Sequence, residues 1–128
     1  MSYYFSKIVD DNFDDAIERV TAKLADAGFG VLTTIDVSAT LKKKLDADFQ
    51  RYTILGACNP GFAYKALQAE DKIGTMLPCN VIVQETSDGK VEVAAVDPMA
   101  SMMSIQNEAL GAIASEVRGM LKSVIEGL

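Results

Sequence analysis

Hydrophobic residues switch period along this chain, and the order of the switches restricts the architecture more than any composition figure does. Between Tyr3 and Val9, the residues Tyr3, Phe5 and Val9 follow a period of two broken only by Lys7, which predicts a strand. Phe13, Ile17, Val20 and Leu24 then come in steps of four, three and four, the spacing of one helical stripe. Asp10, Asp11 and Asn12 stand ahead of it as capping side chains. Asp14, Asp15 and Glu18 suit the positive end of the helix dipole, and Gly28 offers a left-handed stop. Gly30 to Val37 alternates again, rich in β-branched residues, and predicts a second strand. Ser38 to Leu45 predicts a short helical turn whose Lys42, Lys43 and Lys44 read as a solvated basic face.

A third strand is expected over Phe49 to Ala57. Asn59 before Pro60 then predicts a short helix to about Ala69, with Ala63, Ala66 and Leu67 as its apolar stripe. Cys79 to Thr86 and Lys90 to Val96 flank Ser87-Asp88-Gly89, whose Asp-Gly pair marks a hairpin between antiparallel neighbours. Asp97-Pro98 breaks the sheet and Met99 to Met103 forms a methionine-rich joint. Ser104 or a nearby serine is expected to cap a final helix running to about Gly127, with Leu110, Ile113, Val117, Met120, Leu121, Val124 and Leu128 in its stripe. At about 1.5 Å per residue that helix spans some 33 Å, enough to cross a small sheet.

The resulting order, strand, helix, strand, strand, short helix, strand, strand, helix, lacks the strict alternation of a doubly wound parallel sheet. An α+β fold is expected: one antiparallel sheet with helices packed on one face, the other face solvated or covered by a partner. With 128 residues, 49% of them hydrophobic, the chain is expected to form a single domain over residues 1–128. It carries 12 Lys and Arg against 18 Asp and Glu, a net charge of −6, which is the wrong sign for binding a phosphate backbone, so nucleic acid is not an expected partner. The absence of histidine removes Ser-His-Asp and Cys-His nucleophile pairs and every zinc site built on imidazole. The first residues show no basic start followed by an apolar stretch, and no apolar run approaches the roughly 20 residues a bilayer requires. No membrane contact is expected, and two cysteines without a secretion pattern suggest a reducing, cytoplasmic setting.

Two short segments stand apart, Leu55-Gly56-Ala57-Cys58-Asn59-Pro60 and Met76-Leu77-Pro78-Cys79-Asn80-Val81, each holding a Cys-Asn pair beside a proline. Cys58 precedes a predicted helix N-terminus, where the dipole favours a thiolate, so it is the better nucleophile candidate. Cys79 opens a strand. The two can meet only if strands three and four are antiparallel, since a parallel crossover would put them at opposite edges of the sheet, beyond the roughly 7 Å a disulfide tolerates. Three readings stay open. The cysteines are small buried hydrophobes, or a thiol pair in which Cys79 resolves Cys58, or part of a soft-metal set with Met99, Met102 and Met103 as thioether donors suited to Cu(I). Asp97 stands out among the acids because an aspartate before a proline can fold back onto the next turn. Gly111, Ser115 and Gly119 line one edge of the last helix, an arrangement that close approach of another backbone, including a second subunit's, would explain.

Taken with the tyrosine-rich first strand, Phe13-Asp14-Asp15-Ala16-Ile17, Gly28-Phe29-Gly30-Val31-Leu32, Leu41-Lys42-Lys43-Lys44-Leu45 and Val96-Asp97-Pro98, the two cysteine segments make the chain resemble the domain-of-unknown-function 302 family over nearly its whole length. The resemblance implies a TBP-like α+β fold and a homodimer, and it brings no established activity. It singles out Cys58, Asn59, Pro60, Pro78, Cys79, Asn80, Asp97 and Pro98 as candidate ligand-binding or redox positions. The expected function is a homodimeric small-ligand-binding protein with its pocket near the two Cys-Asn segments. Thiol-redox chemistry, soft-metal binding and a purely structural or interaction role are the alternatives.

Overall fold

The five period-two segments pair into one sheet and the two long helical stripes cover one side of it. In the computed structural model, which describes residues 2–128, the strands are β1 (Tyr4–Val9), β2 (Gly30–Asp36), β3 (Tyr52–Cys58), β4 (Cys79–Glu85) and β5 (Val91–Val96). The helices are α1 (Phe13–Asp26), α2 (Val37–Leu45), α3 (Pro60–Ala69), α4 (Pro98–Ser101) and α5 (Glu108–Glu126), with a 3₁₀ segment over Asp71–Met76. The sheet order is β1-β5-β4-β3-β2 and every neighbouring pair is antiparallel, which is the expected α+β architecture. β4 lies at the centre.

Alternation then decides what each face carries. Val91, Val93 and Ala95 of β5, Val81 and Val83 of β4, and Leu55 and Ala57 of β3 are buried beneath Phe13, Ala16, Val20 and Leu24 of α1 and Val117, Leu121, Val124 and Ile125 of α5. Burial of such side chains contributes about 1.5–3 kcal/mol each, so this layer holds the fold together. Lys7, the exception in the first strand's pattern, reaches the carbonyls that end α5: its Nζ donates to Glu126 O at 3.1 Å and to Leu128 O. A cation there satisfies the orphan acceptors of a helix C-terminus.

The helix ends follow their capping chemistry. Asn12 Oδ1 accepts from Asp15 N–H at 2.9 Å to start α1, and Gly28, at φ +90°, takes the left-handed stop. α5 departs from expectation. Its cap is Asn107, whose Oδ1 accepts from Ala109 N–H at 3.1 Å while its Nδ2 donates to Ala69 O at 2.9 Å. Ser104 is not the cap, because the chain after Pro98 first closes the short α4 and its following turn, and only Asn107 is placed to join the start of α5 to the end of α3. The 3₁₀ segment, invisible to helical periodicity, buries Ile73 against Ala66 and Leu110 in a second small core. β3 starts at Tyr52 rather than Phe49, since Asp46 turns left-handed at φ 52° after α2 and Phe49 stays exposed.

Candidate functional site

β3 and β4 are antiparallel neighbours with Ala57 opposite Cys79, so Cys58, one residue on, arrives at the same end of the sheet. The condition under which the two cysteines could meet is fulfilled. Both are free thiols. Asn59 leaves β3 in extended conformation, and its Oδ1 accepts from Phe62 N–H at 3.3 Å to cap α3, with Pro60 at the first helical position. That backbone donor is therefore spent on Asn59, and Pro60 has none to offer a neighbouring thiol. The chain returns through the 3₁₀ segment to Pro78, which follows a cis peptide bond and packs over Gly56. A Cβ at Gly56 would overlap Thr33 Oγ1 and stand 2.8 Å from Pro78 Cγ, so the glycine of the first segment makes room for the proline of the second.

Between these segments, α3, α4 and α5 lies a cavity of about 40 Å³. Five of the eight candidate residues line it: Cys58, Asn59, Pro78, Cys79 and the fully buried Pro98. Phe62, Leu77, Met102, Ile113 and Val117 complete much of the wall, and no charged side chain contributes to it. Of these, Ile113 and Val117 could be expected from the apolar stripe of α5, whereas the convergence of Phe62 and Leu77 on the same space depends on tertiary packing. Burial pushes the Cys79 thiol up to about 11, with the nearby Cys58 adding to the effect, so Cys79 is protonated at neutral pH.

The other three candidates lie elsewhere. Pro60 is exposed at the start of α3, and Asn80 is exposed on the opposite face of the sheet. Asp97 is buried and lies outside the cavity lining. Its carboxylate accepts from Met99 N–H and from Arg118 Nε, each at 3.0 Å, capping α4 and fastening α5. Arg118 is stacked on Phe5, 5.1 Å from the ring centre. Asp97 thus does fold back on the next turn, as an aspartate before proline can. Met99 and Met103 are exposed along an open groove of about 790 Å³ that also holds Asp97 and Arg118. Of the three methionines, Met102 lines the cavity with the cysteines, so Cys58, Cys79 and Met102 are the sulfur groups of the five-sulfur set that share one wall. Among the described residues no group of three or more Cys, Asp or Glu is gathered to hold a metal ion.

The family model for the domain of unknown function DUF302 matches residues 5–128, almost the entire chain. The chain belongs to the DUF302 family. A solved structure of an uncharacterized conserved DUF302 protein from Bacillus stearothermophilus is similar to it throughout, with a TM-score of 0.91 and 27% sequence identity over 98% of both chains. No curated protein sequence matches it. Membership fixes the fold of this DUF302 chain and leaves its chemistry to be argued from the cavity. No described helix is long and apolar enough to cross a membrane.

Proposed function

We propose that this DUF302 chain is a cytoplasmic, homodimeric binding protein that takes a small, uncharged, polarizable group into the cavity between its two cysteine segments. The observation that carries the reading is the wall itself: two thiols, a thioether, two aromatic rings, aliphatic side chains and the Asn59 amide line one space with no charged group. Its volume of about 40 Å³ exceeds the roughly 10–15 Å³ one water-sized probe needs and falls far below the roughly 300 Å³ of a pocket that encloses a drug-sized ligand. The occupant is a few atoms in size, or the tip of a longer molecule lying in the adjacent groove. Met102 and Ala114 line both spaces, and an unbranched methionine side chain repacks more readily than a branched one.

Xenon is the first probe, because it is apolar, polarizable and small. Methyl NMR under xenon pressure should shift Ala57, Ile113 and Val117, and Met102→Ala should extend the response to benzene. If neither probe moves those resonances while the protein stays folded, the binding reading fails. A second reading has one observation in its favour, since the Met102 thioether shares the wall with both thiols, a donor set that suits Cu(I). It requires Cu(I) retention against a chelator and its loss in both Cys58→Ser and Cys79→Ser. Thiol exchange through Cys58 has less support, because burial keeps its resolving partner Cys79 protonated.

A further inference from the structure

We infer that the uncovered face of the sheet is the docking surface for a second copy of this chain, with the two-fold axis passing near Ile82. This rests on the dimeric reading above and adds to it the surface used. Ile82 is the middle residue of β4, and β4 is the middle strand. Across it runs an apolar row, Ile35, Ile54, Ile82 and Ala94, each residue set opposite the next by the strand register. Tyr4 and Ile8 on the edge strand extend the surface and are 43% and 48% exposed, while Ile35 at the other edge is also 48% exposed. One face of an antiparallel sheet can be solvated, and Ser6, Asn80, Gln84 and Glu92 lie on this one, but the apolar row crosses its middle unbroken from β2 to β5.

Gln84 and Glu92 are already partnered, which leaves Ser6 and Asn80 as the exposed polar side chains of the face. Gln50 Nε2 donates to Gln84 Oε1 at 3.0 Å, and Gln84 Nε2 donates to Glu92 Oε1 at 2.8 Å, a chain of bonds running along the face. Covering it therefore strands few donors. Size also suits a second copy. Five strands about 4.8 Å apart and seven residues at about 3.3 Å give a footprint of about 550 Å². Side chains standing on it raise the accessible area toward the roughly 800 Å² per partner that a stable interface buries.

Charge selects the partner. The chain carries a net charge of −6, so two copies repel except where a surface is nearly free of charge. Glu92 is the charged side chain in the surface formed around Tyr4, Tyr52, Ile82 and Val96, and no lysine or arginine belongs to it. Without a cation the face offers nothing to a nucleic acid or an anionic lipid surface. An isologous contact lays the Ile54–Ile82–Ala94 row against its own copy, two sheets packed about 10 Å apart.

The test combines sedimentation with solvent mapping on the full chain. The wild type should sediment at twice its 13.7 kDa mass, and a soluble paramagnetic chelate should leave the Ile54, Ile82 and Ala94 methyls sharp while broadening the solvent-facing Leu67. Ile82→Glu should halve the sedimenting mass with its circular dichroism intact. A wild type that is monomeric overturns the dimeric reading and this inference together. A dimer whose Ile54 and Ile82 methyls broaden, or which persists in folded Ile82→Glu, overturns this inference alone and leaves the dimeric reading standing. Should Ile82→Glu fail to fold, the wild-type methyl mapping decides.

Discussion

Cys58-Asn59-Pro60 and Pro78-Cys79-Asn80 are built from the same three residue types, yet the fold uses them in opposite ways. In the first, the strand ends and a helix begins, so the asparagine turns inward to cap α3 and the proline takes the first helical position. In the second, a strand begins, so the proline sits over Gly56 and the asparagine alternates to the far face of the sheet. Only the cysteines keep a common role, as neighbours on the wall of one cavity. A residue's identity sets what it can bond, and the period of the backbone around it sets where that capacity is delivered.

The strongest way to break the relation between the segments is to remove the space they share. Gly56→Ala places a methyl into Thr33 and against Pro78 Cγ at 2.8 Å, with β3 held between two strands and unable to retreat. Overpacking of this kind costs about 3 kcal/mol. Urea unfolding should show that loss, and Gly111→Ala serves as its control. A Cβ at Gly111 meets no atom within 4 Å, so that substitution should stabilise α5 by about 1 kcal/mol through helix propensity. It should also leave the oligomeric state unchanged if the sheet face, rather than the small-residue edge of α5, is the dimer contact.

The next effect separates the two thiols by pH. Burial raises Cys79 from an ordinary value of 9.0 to about 11 in the folded chain. The folded state therefore holds a proton that the unfolded state has lost between those values. The associated stability is complete below about pH 9 and is lost as pH climbs to about 11, amounting to about 3 kcal/mol. Lysines and tyrosines titrate in the same window, so the measurement is the difference in alkaline unfolding between wild type and Cys79→Ala, which should lose that part of the slope. Cys58→Ala removes only the smaller contribution of its neighbouring charge and should keep most of it. Equal slopes in wild type and Cys79→Ala would show that burial does not hold the Cys79 thiol protonated.

Much of the fold is legible in the sequence, and particular residues show why the rest is not. Strand and helix periods, the Asn12, Gly28 and Asp88-Gly89 signals and the antiparallel hairpin are local, and each recurs in the structure where the spacing puts it. The sequence states the topological condition for Cys58 and Cys79 to meet but not whether it holds, because pairing of β3 with β4 is decided by a return path through the 3₁₀ segment that carries no periodic signal. Asp97 stands out in the sequence for the right local reason. Its larger use, the ion pair with Arg118, joins residues 21 apart that no pattern connects. Met99 and Met103 look equivalent to Met102 in sequence, and only the turn of α4 assigns one of the three to the cavity.

The finest test compares the two asparagines directly. Asn59→Ala removes the Oδ1 that accepts from Phe62 N–H at 3.3 Å, leaving a helix-terminal donor without its partner in a part-buried site. Loss of such a cap costs about 1 kcal/mol, a fall of about 4 °C in Tm for a chain of this size. Asn80 is exposed and makes no side-chain hydrogen bond among the described residues, so Asn80→Ala should stay within about 0.5 kcal/mol of wild type. The difference lies entirely in the element each residue leads into, since a helix N-terminus presents unpaired N–H groups and a central strand does not. Paired thermal melts of the two variants check it. Equal losses would mean that Asn80 is held by contacts across the open face, and the asymmetry between the segments would then be a property of the isolated chain rather than of the dimer.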